Sequence, residues 1–92
     1  MVVKVINFYQ EGCMACEEQT PILREAEKEL DIKIEEIDAV KNPEYIKKYT
    51  LRVTPTTIVL DDDDVRERME GLVHREDLKV AIQRHLPEPL TR

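Results

Sequence analysis

The chain has 92 residues, the size of one small domain, and 41% of them are hydrophobic, which is enough to form a buried core. Its formal net charge is -6, which argues against nucleic acid or an anionic membrane surface as a partner. No apolar run approaches the roughly 20 residues that a membrane-spanning helix needs. We therefore expect a single domain over residues 1–92, with 87–92 as a frayed tail.

The N-terminal segment is apolar, but it has neither a basic leader nor a small-residue cleavage site. It is interpreted as a strand rather than an export signal, so a cytoplasmic protein is expected. In a reducing compartment, two closely spaced cysteines serve catalysis or metal binding more often than they form a permanent cross-link.

The first half of the chain predicts a strand, a helix and a second strand. Val2–Tyr9 is nearly continuous in apolar residues, as is typical of an inner strand. Apolar residues at helical spacing predict a helix over about Met14–Leu30, with a kink near residues 17–21 where Pro21 interrupts it. The second strand is predicted at Ile32–Ile37.

A short helix follows at Glu44–Tyr49, with Asn42 as its N-cap and Pro43 at its first position. Three apolar residues of this helix are expected to face the core: Tyr45, Ile46 and Tyr49.

The second half predicts a hairpin and a final helix. Thr56–Leu60 and Val65–Glu70 have strand patterns and are separated by a polar turn at Asp61–Asp64. The last helix is expected over about His74–Leu86. The order β-α-β-α-β-β-α predicts an α/β fold with a four-stranded mixed sheet and helices on both faces.

The only two cysteines, Cys13 and Cys16, lie where the first strand passes into the first helix. Unpaired amides at a helix start stabilise a thiolate, the reactive form of cysteine. A second thiol one turn away can close a disulfide, so the pair predicts a dithiol redox site. A zinc site is the weaker alternative, because zinc usually takes four ligands and the two histidines, His74 and His85, lie far along the chain.

The cysteine pair is one of several motifs that are distributed along nearly the whole chain. In chain order these are Val5–Tyr9, Cys13–Cys16, Pro21–Leu23, Ile37–Asp38, Asn42–Pro43, Tyr49–Thr56 and Gly71. In these motifs the chain resembles the thioredoxin superfamily, in a minimal, glutaredoxin-sized form. The resemblance implies a thioredoxin fold and a thiol–disulfide oxidoreductase that reduces protein disulfides. It also implies no cofactor beyond the redox-active disulfide.

The resemblance further implies that Cys13 is the nucleophile and Cys16 the resolving thiol. It implies that Pro55 is a cis proline and that the backbone of Thr54 is open to pair with a client strand. The substrate-binding residues expected on this basis are Thr54, Pro55, Met14, Ala15 and Tyr9. The implied partners are disulfide-containing client proteins and either a thioredoxin reductase-like enzyme or glutathione, with the protein itself acting as a monomer.

Four positions depart from the family pattern. Gly12 stands where a tryptophan usually precedes the first cysteine, and Met14 and Ala15 form neither of the common dipeptides between the cysteines. Asn7 occupies the place of a buried acid that serves the second cysteine in thioredoxins. Two acids on the second strand are candidates to replace it: Glu35 and Glu36.

Two alternatives remain open: a glutathione-dependent glutaredoxin, and a thioredoxin-fold adaptor whose dithiol is idle or carries metal. The motif is flanked by Glu11, Glu17 and Glu18. Glutaredoxins hold glutathione partly with basic residues near the motif, so these acids disfavour glutathione binding.

Overall fold

The computed structural model describes residues 3–87, and the elements follow the predicted order. The bounds are β1 (Val3–Tyr9), α1 (Met14–Leu30), β2 (Ile34–Asp38), α2 (Glu44–Tyr49), β3 (Thr56–Asp61), β4 (Asp64–Glu70) and α3 (Arg75–Gln83). The tail predicted for residues 87–92 lies outside the described residues from position 88 onward. None of the helices in the described part is long and apolar enough to cross a membrane.

The four strands form one sheet in the order β2-β1-β3-β4. β1 runs parallel to β2 and antiparallel to β3, and β3 pairs antiparallel with β4. The predicted mixed sheet is therefore confirmed. Of its two central strands, β1 leads into the disulfide, and β3 directly follows the loop that faces it.

Alternate residues of β1 point to opposite faces of the sheet, and each face has its own core. Val5 packs with buried residues of α1 and α3, such as Leu23 and Leu78. Ile6 and Phe8 pack on the other face, against α2. The helices thus cover both faces, with α1 and α3 on one side and α2 on the other.

Phe8 is the largest fully buried side chain, and it fixes α2 to the sheet. Its ring centroid lies 5.6 Å from that of Tyr45 and 5.7 Å from that of Tyr49, within the range of favourable aromatic contacts. These contacts hold the end of β1, and therefore the start of the cysteine loop, against α2.

α2 has the predicted bounds, but its N-cap differs from the prediction by one residue. The N-cap is Pro43 rather than Asn42. The Asn42 amide donates instead to the carbonyl oxygen of Asp38 at 3.0 Å. Because the Asn42 side chain is already hydrogen-bonded within the preceding turn, it does not cap α2.

Several strand and helix ends also differ from the prediction by a few residues. β2 begins at Ile34 rather than Ile32, because the Ile32 N–H bonds back to the end of α1 instead of to a strand. Asp31 caps α1 in the left-handed conformation at φ 55°, and the Ile32 N–H donates to the carbonyl oxygen of Glu27. α3 ends at Gln83 rather than at residue 86.

Exposed ion pairs join α1 to α3. Arg75 contacts Glu25 at 2.8 Å, and Lys79 contacts Glu29 at 2.5 Å. The hydrogen bond from Lys79 is the main cause that lowers the pKa of Glu29 below its ordinary value of 4.5. The pair therefore supports the fold above pH 4.5 and is lost as the pH falls through the lowered pKa, although solvent screening keeps its contribution small.

Candidate active site

The two cysteines lie at the first turn of α1. They are joined by a disulfide with an S–S distance of 2.31 Å and a Cα–Cα distance of 5.2 Å. Cys13 is the N-cap residue of the helix, and its Sγ accepts a hydrogen bond from the backbone N–H of Cys16 at 3.1 Å. One sulfur therefore already sits where the helix presents a backbone donor, which is the environment that favours a thiolate.

The two sulfurs differ in their access to solvent. Cys13 is partly exposed, whereas Cys16 is 5% exposed and belongs to the buried face of α1. An incoming disulfide can therefore reach Cys13 much more readily than Cys16.

The loop before β3 lies directly against Cys13. Both the carbonyl oxygen and the hydroxyl oxygen of Thr54 are 3.6 Å from the Cys13 Sγ. The Thr54–Pro55 peptide bond is cis, and Pro55 is buried. The structure thus brings the two loop residues of the predicted site to the exposed sulfur.

The other three predicted substrate-binding residues are placed differently from one another. Met14 is 81% exposed beside the disulfide, and Ala15 is half-buried. Tyr9 lines a cavity of about 410 Å³ next to Cys16. Thr54 lines a second groove, and Gln10 lines both the groove and the cavity.

The β1 position at which the family pattern has a buried acid contains an amide in this chain. Asn7 is 1% exposed, and its Oδ1 accepts a hydrogen bond from the Thr57 hydroxyl at 3.0 Å. Because an amide does not titrate, this site cannot take a proton from the second thiol.

The two candidate acids on β2 lie on opposite faces of the sheet. Glu35 pairs in register with Ile6, on the α2 side, and lies 4.0 Å from Lys4. Glu36 pairs with Asn7 and lines the same cavity as Cys16. Of these two acids, only Glu36 shares a cavity with Cys16, and its carboxylate is paired with Arg24 at 2.8 Å.

Gln19 was not predicted from the sequence to have a role near the site. It is fully buried on α1, and its side-chain amide forms two hydrogen bonds with the backbone of Val73. A polar residue inside an amphipathic helix normally indicates a solvent-facing position, so the sequence carried no signal for this contact.

A metal-binding reading gains no support from the described residues. No group of three or more His, Cys, Asp or Glu side chains within residues 3–87 is arranged to hold a metal ion.

Comparison with known proteins agrees with this geometry. Residues 2–84 match the family model described as thioredoxin. The thioredoxin of Bacillus subtilis is 33% identical over 86 residues, covering 91% of this chain and 83% of that protein.

Solved structures give the same assignment. A malaria parasite thioredoxin-2 superposes with a TM-score of 0.85 at 27% identity, covering 91% of this chain and 84% of that one. Thioredoxin 1 of Thermosipho africanus gives a TM-score of 0.77 at 28% identity, covering 89% and 92%. The chain belongs to the thioredoxin family, and it is a thiol–disulfide oxidoreductase that reduces protein disulfides.

Proposed function

We propose that Cys13 is the attacking thiolate and Cys16 the resolving thiol in the reduction of disulfides in client proteins. The observation that carries this proposal is the position of the Cys13 sulfur. It is the more exposed of the two, it caps α1, and it faces Thr54 at 3.6 Å.

The exchange conserves atoms and electrons in two steps. The Cys13 thiolate attacks one sulfur of the client disulfide, and the other client sulfur leaves as a thiolate that takes up a proton. Cys16 then loses its proton and attacks the Cys13 sulfur, which expels the second client thiolate. The client gains two electrons, and the Cys13–Cys16 disulfide is formed.

Reduction of that disulfide needs two electrons from outside the chain. We propose a dithiol donor of the thioredoxin reductase-like kind rather than glutathione. Glu11 and Glu17 line the cavity beside Cys16, and their charge repels an anionic tripeptide. A reducing cytoplasm, in which such donors act, is the proposed compartment.

The proposed client-binding surface begins at Thr54. The Thr54 N–H has no backbone hydrogen-bond partner among residues 3–87, so an extended client segment can pair with it as an added strand. The exposed Met14 extends this surface around Cys13, whereas the fully buried Pro55 offers a client little side-chain surface.

A groove of about 150 Å³ continues from Thr54 toward α2, and it is lined mostly by apolar side chains together with Gln10 and Arg52. Val53 and Val40 line it and are 46% and 63% exposed, and Ile46 lines it as well. Ile46 was predicted to face the core, but it is 40% exposed, because its position on α2 turns it toward this groove. The groove can take one apolar side chain of a client close to its disulfide.

The experiment that tests the proposal is reduction of insulin with dithiothreitol as the electron source. We expect the protein to accelerate the appearance of turbidity in this assay. We also expect glutathione at the same thiol concentration to support little turnover, either of insulin or of a small mixed disulfide. Turnover that depends on glutathione would favour the glutaredoxin alternative, and failure in both assays would favour a redox-idle adaptor.

A further inference from the structure

Gln19 is a fully buried polar side chain that lies one helical turn beyond Cys16, on the same face of α1. Its Nε2 donates to the carbonyl oxygen of Val73 at 3.0 Å, and the Val73 N–H donates to its Oε1 at 2.9 Å. The nitrogen and the oxygen of one side-chain amide therefore both form hydrogen bonds with the backbone of Val73, which lies in the loop between β4 and α3.

The same segment is attached to the cis-proline loop at its other end. The Gly71 N–H donates to the carbonyl oxygen of Pro55 at 2.8 Å. Gly71 adopts φ +84°, a conformation that glycine takes without strain. Gly71–Val73 is thus fixed between α1 and the loop that contacts Cys13.

We propose that Gln19 is a positioning residue for client binding. Through Val73 and Gly71, its amide sets the position of the cis-proline loop, whose Thr54 faces Cys13 and begins the proposed client-binding surface. The inference rests on the proposed function, because it assigns part of the same surface.

The chemistry of the amide fits this role. Val73 is 8% exposed, so its N–H and carbonyl oxygen would lack partners if an apolar side chain replaced Gln19. An uncharged group with one donor and one acceptor satisfies both at once. Without it, the segment would have to shift toward water to satisfy its backbone.

The test compares Gln19→Met with wild type in three measurements: insulin reduction, reaction with a small aromatic disulfide, and hydrogen exchange at the Val73 amide. We expect the KM for insulin to rise about fivefold, the magnitude that loss of buried hydrogen bonds implies. The kcat and the rate with the small disulfide should change less than about twofold, and the Val73 amide should exchange faster.

Glu25→Gln is the matched control. Glu25 also links α1 to the chain just beyond this segment, through its exposed contact with Arg75 at 2.8 Å, but it does not touch the segment's backbone hydrogen bonds. For Glu25→Gln we expect the KM for insulin and the rate of hydrogen exchange at the Val73 amide to match those of the wild type.

Gln19→Glu gives an independent measurement if the methionine variant does not fold. An ionised carboxylate accepts from the Val73 N–H but cannot donate to its carbonyl, whereas the protonated acid does both. Protection of the Val73 amide, relative to wild type at each pH, should therefore recover as the pH falls and the carboxyl group protonates.

Three results would overturn the proposal. They are an unchanged KM for insulin in folded Gln19→Met, an equal loss of activity with the small disulfide, or protection of the Val73 amide in Gln19→Glu that does not change with pH. If the wild-type protein fails to reduce insulin, the proposed function fails. The exchange measurements then still decide whether Gln19 holds this segment in place.

Discussion

Cys13→Ser is expected to abolish reduction of protein disulfides, with a loss of at least about 1,000-fold that reaches the rate without enzyme. A serine hydroxyl at the head of α1 is not ionised at neutral pH, so the first attack on the client disulfide does not occur. Insulin turbidity with dithiothreitol measures this loss directly.

Cys16→Ser should fail at a different step. The exposed Cys13 still attacks, but the buried sulfur that would release the client is missing. The variant should therefore accumulate a covalent mixed disulfide with its client, visible by mass spectrometry under non-reducing conditions. Clients captured on Cys16 in the Cys13→Ser variant, with none captured on Cys13 in the converse variant, would reverse the assigned roles.

Val53→Asp is expected to weaken client binding strongly. Val53 lines the apolar groove next to Thr54 and is 46% exposed. Placing a carboxylate against an apolar client side chain costs about 1–3 kcal/mol, which corresponds to a roughly five- to 150-fold rise in the KM for insulin. The rate with a small aromatic disulfide should stay close to wild type, because such a substrate does not fill the groove.

Val80→Asp is the matched control for this experiment. Val80 is 50% exposed on α3, which packs on the opposite face of the sheet from α2. The same change in charge and size at a similar exposure should leave the KM for insulin unaltered. Equal effects of the two substitutions would mean that net charge, rather than the groove, determines client affinity.

Most of the fold could be predicted because its signals are local. The apolar run of β1 and the apolar spacing of α1 each determine one element, and both bounds of α1 and α2 agree with the prediction. The prediction was wrong where a side chain forms a hydrogen bond with a neighbouring backbone group. The Asn42 amide, for example, bonds the carbonyl of Asp38 and leaves the N-cap position to Pro43.

The site was only partly predictable, for a related reason. The cysteine pair has a recognisable spacing, so its position at a helix start follows from the sequence. The contact between Gln19 and Val73 joins residues 54 positions apart, and no local pattern encodes it. Likewise, the choice between Glu35 and Glu36 depends on strand register, which places only Glu36 on the face of Asn7.

The measurement that tests the account most directly is residue-resolved alkylation of the reduced protein across a range of pH. We predict that iodoacetamide modifies Cys13 first, and already at pH values below the pKa of about 8.5 of an ordinary thiol. Cys16 should remain unmodified until the protein is unfolded, because it is 5% exposed. Modification of Cys16 before Cys13, or equal rates at the two positions, would contradict the assignment of Cys13 as the attacking thiolate.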